Sequence, residues 1–132
     1  MAFNLLYIED NMLNVRLVKR CLSKMDVDIA VAQDGDEGIR FVHNHCPDLI
    51  LLDINLPTIS GIDVTLQLKT KQNTKHIPII ALTADNTLLT RKLCEMYGVD
   101  AYLTKPISRH LLIETVQTFL PAIQPDLVAI RN

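Results

Sequence analysis

Three carboxylates, a hydroxyl and an ammonium recur at one kind of place in this 132-residue chain, the end of a short apolar run. Glu9 and Asp10 follow Leu5–Ile8, Asp53 lies near the end of Leu49–Ile54, Thr83 follows Ile77–Leu82, and Lys105-Pro106 come just after Ala101–Leu103. Two unit charges about 4 Å apart interact by roughly 4 kcal/mol at an effective dielectric near 20. Three carboxylates brought together therefore need a cation or a retained proton. Hard oxygen ligands with room for water suit Mg²⁺ better than Zn²⁺. A carboxylate nucleophile, Mg²⁺ and a lysine are the parts required for phosphoryl transfer onto an aspartate, with Thr83 placed to hydrogen-bond a phosphoryl oxygen.

Such a rim exists only if the runs are parallel strands. Five runs, the four above and Val27–Val31, alternate with segments of helical spacing. Three of the five are nearly continuous rather than alternating, as in strands covered on both faces. Leu17, Val18, Cys21, Leu22 and Met25 form one helical stripe; Ile39, Val42 and Cys46 form a second, before Pro47. Leu89, Leu93, Met96 and Tyr97 form a third, ending at Gly98, and Leu111, Leu112, Val116, Phe119 and Leu120 a fourth, ending at Pro121. Each stripe is read as a core-facing side. Ile62, Val64, Leu66 and Leu68 alternate with polar residues, which is a strand period. A parallel neighbour for the Leu49–Ile54 strand nevertheless requires a crossover there, which favours a helix. The result is an α/β, doubly wound parallel sheet with helices on both faces, and ligands bind such sheets beyond the strands' carboxyl ends.

Composition narrows the function classes. With 48% hydrophobic and 21% charged residues the chain is not disordered, and its length fits one domain. Thirteen basic against fifteen acidic residues and few aromatics give no nucleic-acid footprint. No apolar run approaches the ~20 residues of a membrane span, and the N-terminus lacks a signal-peptide pattern. Cys21, Cys46 and Cys94 are scattered, which fits reduced thiols and a cytoplasmic location. His43 and His45, two apart on a helix, do not share a face and are poor joint ligands.

Four motifs in this order carry a family resemblance: Tyr7-Ile8-Glu9-Asp10-Asn11, then Leu51-Leu52-Asp53-Ile54-Asn55-Leu56-Pro57 with Gly61, then Ala81-Leu82-Thr83-Ala84, then Tyr102-Leu103-Thr104-Lys105-Pro106. Over residues 4 to 120 the chain resembles the receiver domain of two-component response regulators, the chemotaxis-regulator type. The resemblance implies a flavodoxin-like, five-stranded sheet of order 2-1-3-4-5, an order the general account of such folds also gives for that regulator. It implies Asp53 as phosphoacceptor, with Mg²⁺ on Asp10, Asp53 and the Asn55 backbone carbonyl, and on Glu9 through water. Thr83, the Ala84 N–H and Lys105 would hold the phosphoryl group, Tyr102 would follow Thr83 as a switch, and the Lys105-Pro106 bond would be cis.

The implied partners are a sensor histidine kinase or histidine phosphotransfer protein upstream and a protein target downstream, with no nucleic acid and no membrane. The implied state is a monomer or a phosphorylation-linked dimer. Residues 1–120 would be the receiver and 121–132 a short tail without an output domain, its Ile123, Leu127, Val128 and Ile130 able to dock. The expected role is a phosphorylation-dependent signalling receiver, not an enzyme.

Three features depart from the pattern. Glu9 replaces the common Asp, Tyr7 replaces an aliphatic with no expected consequence for chemistry, and Asp85 adds a fourth acid near the rim. A receiver-like module that docks without phosphorylation is the alternative. A haloacid-dehalogenase-type phosphatase would carry its nucleophile in an Asp-x-Asp motif on an early strand. An FMN binder would not place Glu9-Asp10 where phosphate sits.

Overall fold

The structure, a computed structural model, describes residues 2–120. The proposed docking tail and its four apolar residues lie outside them. Ten elements alternate along the described residues: β1 (Phe3–Ile8), α1 (Met12–Cys21), β2 (Val27–Ala32), α2 (Gly35–His45), β3 (Leu49–Asp53), α3 (Gly61–Lys69), β4 (Ile79–Thr83), α4 (Leu88–Tyr97), β5 (Ala101–Thr104) and α5 (Arg109–Phe119). The strands are all parallel, in the order β2-β1-β3-β4-β5, as the resemblance implies. β4 begins two residues later than its apolar run, after Pro78.

Every helix opens on a side chain that accepts a backbone N–H left over in the first turn: Asn11, Asp34, Ser60, Thr87 and Ser108. At α3 the cap decides an ambiguous pattern. Ser60 and Asp63 form a reciprocal capping box, and the alternating run winds as a helix. Val64 and Leu68, four apart, are then buried, while Leu66 turns outward. α4 stops at Gly98, whose φ of 100° completes a left-handed cap.

Period-two alternation divides the strand residues between two cores. Leu5, Tyr7, Leu49, Leu51, Ile80 and Leu82 pack with Val15, Val18, Leu112 and Val116 of α1 and α5. Leu6, Ile8, Ile50, Leu52 and Ile79 pack with Val42, Val64 and Leu68 of α2 and α3. Burying one such side chain stabilises by about 1.5–3 kcal/mol, so this double layer anchors the rim behind it.

The stripes are less uniform than their spacing predicts. Leu17 and Leu111 are exposed and Val15 replaces Leu17 in the core. In α4 only Cys94 is buried, against Ile54 and Ala81, whereas Leu89 is 68% and Met96 71% exposed. The face that the spacing marks is split, with Leu93 and Tyr97 half-buried and Leu89 and Met96 in solvent, because only part of α4 rests on the sheet.

Candidate functional site

Register sets the site. Ile8 pairs with Leu52 across β1 and β3, so Glu9 and Asp53 leave their strands side by side. Thr83 pairs with Thr104 across β4 and β5, which delivers Lys105 to the same rim. Two backbone bonds extend the ladders past the strands, Glu9 N–H to the Ala32 carbonyl and Lys105 N–H to the Thr83 carbonyl. Gly61 completes the support. A Cβ there would lie 2.5 Å from the Asp53 carbonyl oxygen, so only glycine lets α3 start against the Asp53 strand.

Glu9 and Asp53 are nearly sealed, 1% and 5% exposed, while Asp10 is exposed. Lys105 Nζ donates to Glu9 Oε1 at 2.7 Å and lies 3.5 Å from Asp53 Oδ2. The Asn55 amide donates to Asp53 Oδ1 at 3.1 Å. Burial first, and then its contact with Glu9, push the Asp53 carboxyl up to about 6 against the pull of Lys105. Burial also opposes ionisation of Glu9, but bonds from Lys105, Asp53 and Tyr7 together hold its carboxyl below the ordinary value. One oxygen each from Glu9, Asp10 and Asp53 lies within 4.8 Å of the others, the sole such acidic group among the described residues. All are hard donors, two of them share one lysine, and the set is short of positive charge. It fits a divalent cation with an oxygen preference.

The other expected residues surround this group. Thr83 is fully buried, and its hydroxyl accepts the Asp85 N–H at 3.0 Å. Ala84 and Asn55 are exposed beside it. Tyr102 is half-buried on β5; its hydroxyl donates to the Asp85 carbonyl and its ring carries the Arg91 guanidinium 5.2 Å away. The Lys105-Pro106 bond is cis.

Two expectations fail. Asp85 is not a fourth acid of the rim: its carboxylate turns to the start of α4, where the Thr87 amide and Thr90 hydroxyl donate to it and hold its carboxyl low. Tyr7 is not neutral to the site, because its hydroxyl donates to Glu9 Oε1 at 2.9 Å. The signal was present, since residues two apart on a strand share a face. Sequence reasoning also missed Asn14, whose Nδ2 reaches the same oxygen at 3.3 Å. Asn11, in contrast, is the cap of α1.

The comparisons with known proteins agree with this geometry. Residues 5–117 match the family model described as the response regulator receiver domain. The chain belongs to that family. It is 36% identical over 120 residues to the polar-differentiation response regulator DivK of Brucella ovis, covering 91% of this chain and 98% of that protein. It is similar to the crystal structure of the receiver domain of a Pseudomonas aeruginosa sensor histidine kinase with a magnesium ion coordinated in its active-site cleft. That match has a TM-score of 0.84 and 29% identity, over 92% of this chain and 99% of the other. A putative response regulator from Chloroflexus aurantiacus shares the fold, with a TM-score of 0.87 at 24% identity over 92% and 99% of the two chains. The chain is thus a receiver of two-component signalling.

Proposed function

We propose that Asp53 accepts a phosphoryl group from a phosphohistidine on a sensor histidine kinase or phosphotransfer protein, and that the modified domain binds a downstream protein. The observation that carries this reading is a buried aspartate, level with Glu9 and 3.5 Å from Lys105, at the carboxyl edge of a parallel sheet. An Asp53 oxygen attacks phosphorus in line, the P–N bond breaks, and the departing imidazole takes up a proton. Asp10, Asp53 and the Asn55 carbonyl, with Glu9 acting through water, would hold Mg²⁺, which would supply positive charge to the phosphoryl oxygens. Lys105 exchanges Glu9 for a phosphoryl oxygen, and the Thr83 hydroxyl and Ala84 N–H take the others.

Drawing Thr83 toward the phosphoryl group breaks its contact with the Asp85 amide, and Asp85 also holds Tyr102. The α4–β5–α5 face then changes, with exposed Leu88, Leu89 and Met96 offering apolar area to a protein partner. Residues 1–120 act as this receiver. The role is signalling rather than enzymatic turnover, by a monomer or a phosphorylation-linked dimer, without nucleic acid or membrane. A cytoplasmic location belongs to the same reading; among the described residues no helix is long and apolar enough to cross a membrane.

Incubation with Mg²⁺ and acetyl phosphate, followed by intact-mass measurement, tests it. The expected result is a gain of one alkali-labile phosphoryl group that is absent in Asp53→Asn. No gain, or a gain that survives the substitution, overturns it.

A further inference from the structure

Tyr7 is fully buried in the middle of the sheet, between Val31 of β2 and Leu51 of β3. An aliphatic side chain would fill such a position without a polar atom, whereas a buried phenol must find a partner. Its partner is Glu9 Oε1, 2.9 Å away on the same face of the sheet. That oxygen also receives Lys105 Nζ at 2.7 Å and Asn14 Nδ2 at 3.3 Å. Three side-chain donors thus converge on one carboxylate oxygen, while Oε2 meets the Asn11 amide at 3.4 Å.

The arrangement answers a problem created by the residue at position 9. Glutamate is one methylene longer than aspartate and has a further rotatable bond. Its carboxylate could swing across a cation site unless something holds it. α1 supplies one donor and β5 leads to another, but the lysine has to leave when a phosphoryl group arrives. Asn14 and Tyr7 are the donors that stay, and Tyr7 is the one set in the core, in one cluster with Leu5, Leu51 and Val18.

We propose that Tyr7 is a positioning residue for the cation site: its hydroxyl pins Oε1 of Glu9 away from the cation and leaves Oε2 to serve the cation's water shell. This rests on the reading above that the rim takes Mg²⁺. The glutamate and the tyrosine then form one device, and neither is explained alone. A tyrosine that is mere core volume would donate to the nearest acceptor without affecting the cation.

Mg²⁺ titration of the full chain separates the two cases, followed by calorimetry and by the Asp53, Ile54 and Asn55 amide signals. Tyr7→Phe keeps the ring and removes only the donor, and it is expected to weaken Mg²⁺ binding by about threefold to tenfold, a charged-acceptor bond being lost in part from both states. In a Glu9→Asp background the shorter carboxylate lies out of the hydroxyl's reach, and Tyr7→Phe is expected to change Mg²⁺ binding by less than about 1.5-fold. Asn14→Ala removes the third donor without entering the core and is expected to weaken binding about twofold. Equal Mg²⁺ affinity in wild type and Tyr7→Phe overturns the proposal, as does an equal loss in both backgrounds. Should Tyr7→Phe not fold, an unchanged affinity in Asn14→Ala overturns it instead. Failure of the wild type to bind Mg²⁺ saturably is a different result, which removes the reading of the rim itself.

Discussion

Two polar clusters, one on the carboxyl rim of the sheet and one at the start of α4, are built in opposite ways. Glu9, Asp53 and Tyr7 are closed off from water, with Lys105 half-buried against them, and are backed by strands whose core-facing residues are fully buried. Asp85, Thr87, Thr90 and Tyr102 lie toward the surface and tie down α4, a helix with one buried residue. In the first cluster burial dominates and leaves Asp53 with a raised carboxyl. In the second, hydrogen bonds dominate and hold Asp85 low. A charge change is felt most where water is excluded, and a shape change costs least where little apolar area is buried. The domain therefore carries its sealed charged group on the tightly packed half and its loosely packed surface on the other, with Thr83 and the Asp85 backbone between them.

The largest effect expected from testing this contrast is on the tightly packed half. Leu82→Ala, at a fully buried position just before Thr83, is expected to lower stability by about 2–5 kcal/mol in urea unfolding. A loss below about 1 kcal/mol would remove the claim that the β4 core anchors the rim.

Next comes the acid itself. Asp53 has its carboxyl raised in the folded state, so the folded chain binds the extra proton between the ordinary carboxylate value and about 6. Stability from this group is present below that window and lost as pH rises through it. Glu9, lowered, runs the other way: its contribution is present above the ordinary value and lost as pH falls. Asp53→Asn removes the first contribution and, with it, one of the bonds that hold Glu9 low. It is expected to make the metal-free protein more stable at pH 7, on the order of 1–2 kcal/mol, with the gain shrinking toward pH 4. Chemical denaturation across that range reads it, and a pH-independent difference would contradict the assignment.

On the loosely packed half, Asp85→Ala takes the acceptor from the Thr87 amide and the Thr90 hydroxyl. Amides in the first turn of α4 are expected to exchange with solvent faster, with β1 and β3 unchanged. Equal acceleration in β3 would mean that the two halves are one cooperative unit. The smallest effect is expected of Leu89→Ala, within about 0.5 kcal/mol, because the side chain is 68% exposed. A larger loss would place α4 among the tightly packed elements.

Much of the fold was legible because its signals are local. The cap residues, the apolar runs and Gly98 specify elements over a few residues each, and strand continuity implied burial on both faces. α3 shows where this ran out: Ile62 to Leu68 carried the wrong period, and the Ser60–Asp63 capping box outweighed it. The α4 stripe shows the converse, a correct helix period whose burial depends on how far the helix leans on the sheet.

By itself, the order of residues determined which groups could do chemistry and that they would meet. Acids, hydroxyl and lysine each end a strand, and parallel strands bring those ends together. Only the tertiary structure decided the pairings. Lys105 chooses Glu9 over Asp53 across 96 residues of chain, Tyr7 joins them from within the core, and Asp85 leaves the rim for α4. Such choices turn on differences of an ångström between competing acceptors, and those distances arise only when the whole sheet is packed.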